Sequence, residues 1–150
     1  NSDLISEKNS IYFSNNKNEF FALDERTGII KWKQTLNSNL RPTYADGLVF
    51  TVTLEGYLVV IDSRNGNIAR MTNIFEHIKN HKKKNIKPEG FIVAKDEIYL
   101  SLNNGKLIII DITTGRSKNI LKIDNGKISR PYVLNNNMYI VRDNSIIKLN

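Results

Sequence analysis

Four stretches of this chain resemble one another, and their spacing limits the folds open to it. One begins at Asn9 (NSIYFSNNKNEFFALDERTGIIKWKQTL), a second at Asp46 (DGLVFTVTLEGYLVVIDSRNGNIARMTNI) and a third at Asp96 (DEIYLSLNNGKLIIIDITTGRSKNILKI). A fourth, NNMYIVRDNSIIKLN, starts at Asn136. The aspartates Asp24, Asp62 and Asp111, with Asn150 in the equivalent place, stand 38, 49 and 39 residues apart. Self-similarity at such a period marks a repeat array rather than a single irregular domain. The longer interval contains FEHIKNHKKKN, Phe75 to Asn85, about the length of the excess, so this basic run is an insertion between repeats.

Within a unit the period is that of strands. GLVFTVT and GYLVVID are short, rich in β-branched or aromatic residues, and bounded by Gly, Asn and Asp. The pattern predicts strands over 3–8, 10–16, 19–24 and 29–37, then 41–46, 48–53, 56–62 and 67–74. The third unit predicts 89–95, 97–102, 106–112 and 116–123, and the last 128–134, 137–142 and 145–150. The third strand of each unit is the most apolar, as in LIIID at Leu107 to Asp111, which predicts burial on both faces. Four-stranded antiparallel sheets buried on both faces and repeated about every 40 residues predict an all-β chain of β-propeller blades. Helical repeats would need apolar residues at three- and four-residue spacing, which these runs lack. The expected layout is a single partial propeller domain over 1–150, about three and three-quarter blades, with blades near 3–37, 41–74, 89–123 and 128–150 and a basic insertion at 75–87.

Each aspartate ends an apolar strand, and a glycine follows four residues later, at Gly28, Gly66 and Gly115. This is turn chemistry: the carboxylate accepts backbone N–H groups just ahead of it, and the glycine takes a left-handed conformation so the chain can reverse. Three equivalent carboxylates in three equivalent turns argue for structure, since a catalytic site needs one special carboxylate. Thr27 and Thr114 precede two of the glycines, with Asn65 in the middle copy. Trp32, four residues past Gly28, falls on the outermost strand, where an indole can pack against the neighbouring blade.

The net charge of +7 in 150 residues is unevenly spread. Lys79, Lys82, Lys83, Lys84 and Lys87 against Glu76 make the insertion a basic patch, a candidate contact for a partner or an anion. Heavy use of Lys, Asn and Ile fits AT-rich codons, so no nucleic-acid partner is expected. There is no cysteine, which excludes disulfides, thiolate nucleophiles and cysteine metal sites. No apolar run approaches the roughly 20 residues needed to span a bilayer as a helix. His77 and His81 stand at i and i+4, a spacing that suits zinc on a helix, but no Glu occupies the protease position and the lysines around them oppose a dication. No catalytic, cofactor or metal residue is therefore expected.

The motif A-x-D-x-x-T-G-x-x-x-W, met in full by Ala22, Asp24, Thr27, Gly28 and Trp32, resembles the tryptophan-docking repeat of the PQQ-like (quinoprotein-type) propeller superfamily. The second copy keeps Asp62 and Gly66, with Val60, Asn65 and Arg70 elsewhere; the third keeps Asp111, Thr114 and Gly115, with Ile109 and Asn119. The Arg-Pro pairs at Arg41 and Arg130, each ahead of an aromatic-containing strand, resemble the same superfamily. Its members include enzymes, sensors and scaffolds. The short, plain blades are most similar to the outer-membrane assembly lipoprotein family, BamB. That resemblance implies a non-catalytic periplasmic scaffold, outer-membrane associated, that binds the barrel-assembly machinery through loops between blades. A quinone-dependent dehydrogenase is the alternative, and would need a calcium-held quinone, a catalytic Asp and stacking aromatics; a ligand-sensing ectodomain is a third. Three blades and three strands of a fourth fall short of the usual ring of roughly four to eight, so a fragment of a longer propeller, or self-association through open blade edges, is expected.

Overall fold

The computed structural model describes residues 2–76, 78 and 85–149. Among these, every regular element is a strand, and the fifteen strands form four antiparallel sheets of consecutive neighbours. The first sheet holds β1 (Ile5–Glu7), β2 (Ser10–Ser14), β3 (Glu19–Asp24) and β4 (Ile30–Thr35). The second holds β5 (Thr43–Ala45), β6 (Leu48–Val52), β7 (Tyr57–Asp62) and β8 (Ile68–Asn73). The third holds β9 (Pro88–Ala94), β10 (Glu97–Leu102), β11 (Lys106–Asp111) and β12 (Ser117–Lys122), and the last β13 (Tyr132–Leu134), β14 (Asn137–Arg142) and β15 (Ser145–Leu149). This is an all-β arrangement of about three and three-quarter propeller blades. The chain divides into two compact units, Asn1–Asn73 with the first two sheets and Ile74–Asn150 with the other two.

The first hairpin of every sheet turns through two residues: Glu7 pairs with Ser10, Ala45 with Leu48, Ala94 with Glu97, and Leu134 with Asn137. At Lys8–Asn9, Asp46–Gly47 and Asn135–Asn136 both turn residues have φ between 48° and 79°, the geometry whose twist matches that of the flanking strands. Asn, Asp and Gly tolerate this region best, which is why the units begin with NS, DG and NN.

Burial is less uniform than the apolar patterning suggests. In the second sheet β6 and β7 are covered on both faces, and β11 nearly so. By contrast, β3 alternates, because Glu19 and Phe21 share the face opposite Phe20 and Ala22. The expectation of a doubly buried third strand fails outright at β15, where Ser145, Ile146 and Lys148 are exposed. An apolar run therefore marks membership of a sheet here, and neighbouring layers decide how far each face is covered.

Candidate functional site

All three aspartates of the repeat sit in the same five-residue loop. The peptide N–H of Gly28 donates to Asp24 O at 2.8 Å, that of Gly66 to Asp62 O at 2.9 Å, and that of Gly115 to Asp111 O at 2.8 Å. The glycines lie at φ of 70°, 77° and 72°, where a side chain would be strained. Asp24 Oδ1 accepts from Thr27 N and Thr27 Oγ1, both at 2.9 Å, and Asp111 Oδ1 accepts from the same two groups of Thr114 at 2.8 and 2.9 Å. In the middle copy, where Asn65 stands in place of the threonine, Arg64 takes over. Its Nε and Nη2 donate to the two oxygens of Asp62 at 3.1 and 2.7 Å, and its N–H donates at 2.9 Å. The hydrogen bonds from Thr27 hold the Asp24 carboxyl down at about 2, and those from Arg64 do the same for Asp62. Thr114 lowers Asp111 in the same way. Every one of these carboxylates is engaged by its own loop.

Two residues before each aspartate the ladder to the outermost strand slips by one. Ala22 pairs with Trp32 but Leu23 with Ile30; Val60 pairs with Arg70 but Ile61 with Ile68; Ile109 pairs with Asn119 but Ile110 with Ser117. The extra residues are Lys31, Ala69 and Lys118. A β-bulge of this kind bends its strand and re-aims the next side chain. Lys31 turns back to donate to Asn9 O at 2.7 Å and Ser10 Oγ at 2.9 Å, 3.4 Å from Asp24, while Lys118 pairs with Glu97. The residue after the bulge is Trp32, Arg70 or Asn119, and in the first sheet it reaches the adjacent one.

In the first unit that residue is Trp32, left only 7% exposed. Its ring stacks on Phe20 with centroids 6.1 Å apart at 11°, and lies 5.8 Å from Tyr12. Val49, Val59 and Ile61 of the second sheet close the same cluster, with Tyr44 packed at its side. The indole Nε1–H donates to Ser63 O at 2.9 Å, and Gln34 Nε2 donates to Gly66 O at 2.6 Å. Gly66 is required twice over, by its positive φ and by space, since a Cβ there would lie 2.7 Å from Trp32 Cγ and Cδ2. The second sheet's Asp-to-Gly loop is thus the platform on which the first sheet's tryptophan rests.

The second unit builds the same interface between its two sheets without a tryptophan. Asn119 holds the position and is exposed, its Oδ1 accepting from Ile120 N. A cavity of about 400 Å³ lies there, lined among others by Tyr99, Leu107, Ile109, Val133, Met138 and Leu149. By register these six correspond to Tyr12, Phe20, Ala22, Tyr44, Val49 and Ile61, all members of the Trp32 cluster. The two sheets meet in a smaller cluster of Leu107, Ile128 and Ile140, with Tyr99, Met138 and Leu149 packed against it, and are joined again at another edge. Arg130 lies over Gly90, where a Cβ would come within 2.6 Å of Arg130 Cβ, and its Nε donates to Phe91 O at 2.9 Å. Glu89 meets Lys127 at 2.7 Å and Asp124 meets Arg142 at 3.2 Å. In the sequence Arg130 stands out only through its Arg-Pro pair, and its contact with Gly90 is signalled only by a glycine inside an apolar strand.

Lys79, Lys82, Lys83 and Lys84, like His77, His81 and Asn150, lie outside the described residues. Lys87 is exposed, and its segment is tied to Asn103, whose Oδ1 accepts from Lys87 N at 2.9 Å. Among the described residues no three His, Cys, Asp or Glu side chains gather in a way that could hold a metal. Exposed apolar side chains crowd β13, where Tyr132, Val133 and Leu134 are all at least half exposed, and Ile146 on β15 joins them at 71%.

No curated protein sequence matches the chain. Among solved structures, BamB from Moraxella catarrhalis superposes with a TM-score of 0.79 at 14% identity, covering 98% of this chain and 41% of that one. Sqt1 from Saccharomyces cerevisiae matches equally well, at 0.79 and 16% identity, over 99% of this chain and 45% of that one. A europium-containing methanol dehydrogenase matches at 0.62 and 21% identity, over 78% of this chain and 23% of that one. At these identities the likeness is one of fold, and the chain spans less than half the length of each of the three. A family model described as outer membrane protein assembly factor BamB matches residues 1–150 from end to end, with the Asp-to-Gly loops and the docked tryptophan inside the match, and the chain belongs to this family of PQQ-like propellers.

Proposed function

We propose that this chain is a non-catalytic, protein-binding scaffold that assists the assembly and insertion of outer-membrane β-barrel proteins from the periplasmic side. The observation that carries the reading is the family match over all 150 residues. The engagement of Asp24, Asp62 and Asp111 within their own turns supports it, because these carboxylates hold loops rather than face a substrate. The exposed apolar residues of β13 and β15 supply surface of the kind protein partners cover. In this reading the four sheets are successive blades of one partial propeller, near 3–37, 41–74, 89–123 and 128–150. The lysines of the 75–87 insertion add a basic contact for the partner, and the open sheet edges support self-association.

The test is co-purification. The full-length protein, expressed with an affinity tag in its native envelope, should retain components of the barrel-assembly machinery after mild solubilisation. Recovery without any of them would overturn the scaffold reading. Quinone-dependent oxidation of an alcohol by the same preparation would transfer the chain to the dehydrogenase branch, whose members share the fold.

A further inference from the structure

We propose that the cavity between the third and fourth sheets is a socket that receives a tryptophan side chain from a protein partner. The inference rests on the scaffold reading for the identity of that partner, and on the internal repeat for the chemistry of the occupant.

The first unit displays the occupied form of the site. There the indole of Trp32 fills the space bounded by Tyr12, Phe20, Ala22, Tyr44, Val49 and Ile61. The second unit keeps the walls, as Tyr99, Leu107, Ile109, Val133, Met138 and Leu149, and keeps the bulge that would aim a side chain between them. What changes is the filling. Asn119 replaces the tryptophan and points its amide to its own backbone neighbour, while Leu107 and Val133 are smaller than Phe20 and Tyr44. Ile109 and Met138 return only part of the lost volume. The result is a cavity of about 400 Å³, within the range of roughly 300–1,000 Å³ typical of small-molecule sites.

Leu107 stays fully buried against Ile128 and Ile140, while other wall residues are more open than their counterparts in the first unit. Tyr12, Val49 and Ile61 are fully buried, whereas Tyr99, Met138 and Leu149 remain half-buried, and Val133 at the mouth is 50% exposed. Covering them again with an indole removes apolar surface from water and restores an aromatic contact with Tyr99. The amide oxygens of Asn136 and Asn137, which also line the cavity, can accept from an indole N–H as Ser63 O does in the first unit. The occupant cannot come from a second copy without cost, because the chain's one tryptophan is already seated as Trp32. On the scaffold reading, a protein partner supplies the indole.

The probe is N-acetyl-tryptophanamide, titrated into the 150-residue chain and followed by saturation-transfer NMR and calorimetry. Binding is expected to the native chain, and N119W, which carries its own indole to the socket, should raise the melting temperature and weaken the probe by about tenfold or more. Should N119W fold poorly, V133R at the exposed mouth serves in its place and should weaken the probe similarly. N119A should bind as the native chain does. Failure of the native chain to bind the probe, or equal binding by N119W and V133R, overturns the socket. Co-purification separates this from the scaffold reading: machinery captured by the native protein but lost with N119W supports the socket as the partner's seat. Capture undiminished by N119W overturns that role and leaves the scaffold intact. No capture by either removes the scaffold reading, and the probe titration then judges the socket alone. A concentration-dependent dimer that N119W dissolves would assign the seat to a second copy and overturn the partner proposed.

Discussion

The two units of this chain solve one packing problem in two ways. In the first, a tryptophan from the outermost strand of one sheet lies on the Asp-to-Gly loop of the next, and its ring, its N–H and a glycine platform all serve the contact. In the second, an arginine ahead of the fourth sheet reaches back over a glycine of the third, and ion pairs flank it, while the tryptophan's place stands open. The difference teaches that the blade contact does not depend on the tryptophan as such. Apolar residues of both sheets meet in each unit, and the side chains that cross between them decide how much of the gap is core and how much is pocket.

The contrast can be broken most directly by removing the tryptophan. Trp32→Ala should destabilise the first unit by about 3–5 kcal/mol, as for other buried aromatic truncations, read as a fall in the urea midpoint. A midpoint unchanged from the native chain would mean that the indole only fills space. Gly66→Ala should cost about 1–3 kcal/mol by overpacking against the indole and by strain at positive φ. Its effect should shrink in a Trp32→Ala background, and a double-mutant cycle with no coupling would deny that the two form one dock. On the other side, Arg130→Ala should cost about 0.5–1.5 kcal/mol through the lost hydrogen bond to Phe91 O. It should leave the stability of the first unit, followed by Trp32 fluorescence, unchanged.

The smallest effect belongs to the turns. Asp24 and Asp62 are held at about 2 against an ordinary 3.8, so their contribution is complete above the ordinary value and is lost as pH falls from about 4 to about 2. Both carboxylates are partly exposed, so the loss should be modest. Thr27→Ala should move the Asp24 titration, followed by carboxyl-carbon NMR, upward toward the ordinary value while leaving Asp62 in place. A titration that does not move would show that the backbone N–H of residue 27, which the substitution keeps, holds the carboxylate without help from the hydroxyl.

The strands and turns were legible in the sequence because each rests on local rules: alternation, an Asp and a Gly at fixed offset, a two-residue hairpin. The repeat register located Asp24, Asp62 and Asp111 and singled out Trp32 on its strand. It did not reveal that β15 would be exposed, since an apolar run such as SIIKL carries no record of what packs on it. Nor did it reveal the cavity. Asn119 was visible as a departure from the motif, but emptiness is a property of facing side chains on different sheets, and the volumes of Leu107 and Val133 matter as much as the missing ring. The arginine over Gly90 was hidden for a related reason, because its partner stands 40 residues earlier in the chain.

The bulge two residues before each aspartate has a consequence for how such a chain can change. It recurs at the same register whether the residue it presents is Trp32, Arg70 or Asn119. The backbone therefore keeps a fixed address on the outermost strand of each four-stranded sheet and leaves open what is presented there. Changes at that address, together with the side chains that face it, can convert a sealed seam into a vacancy, or back again, while the bulge itself stays. In a repeat protein this makes new binding sites cheap to sample, one blade at a time.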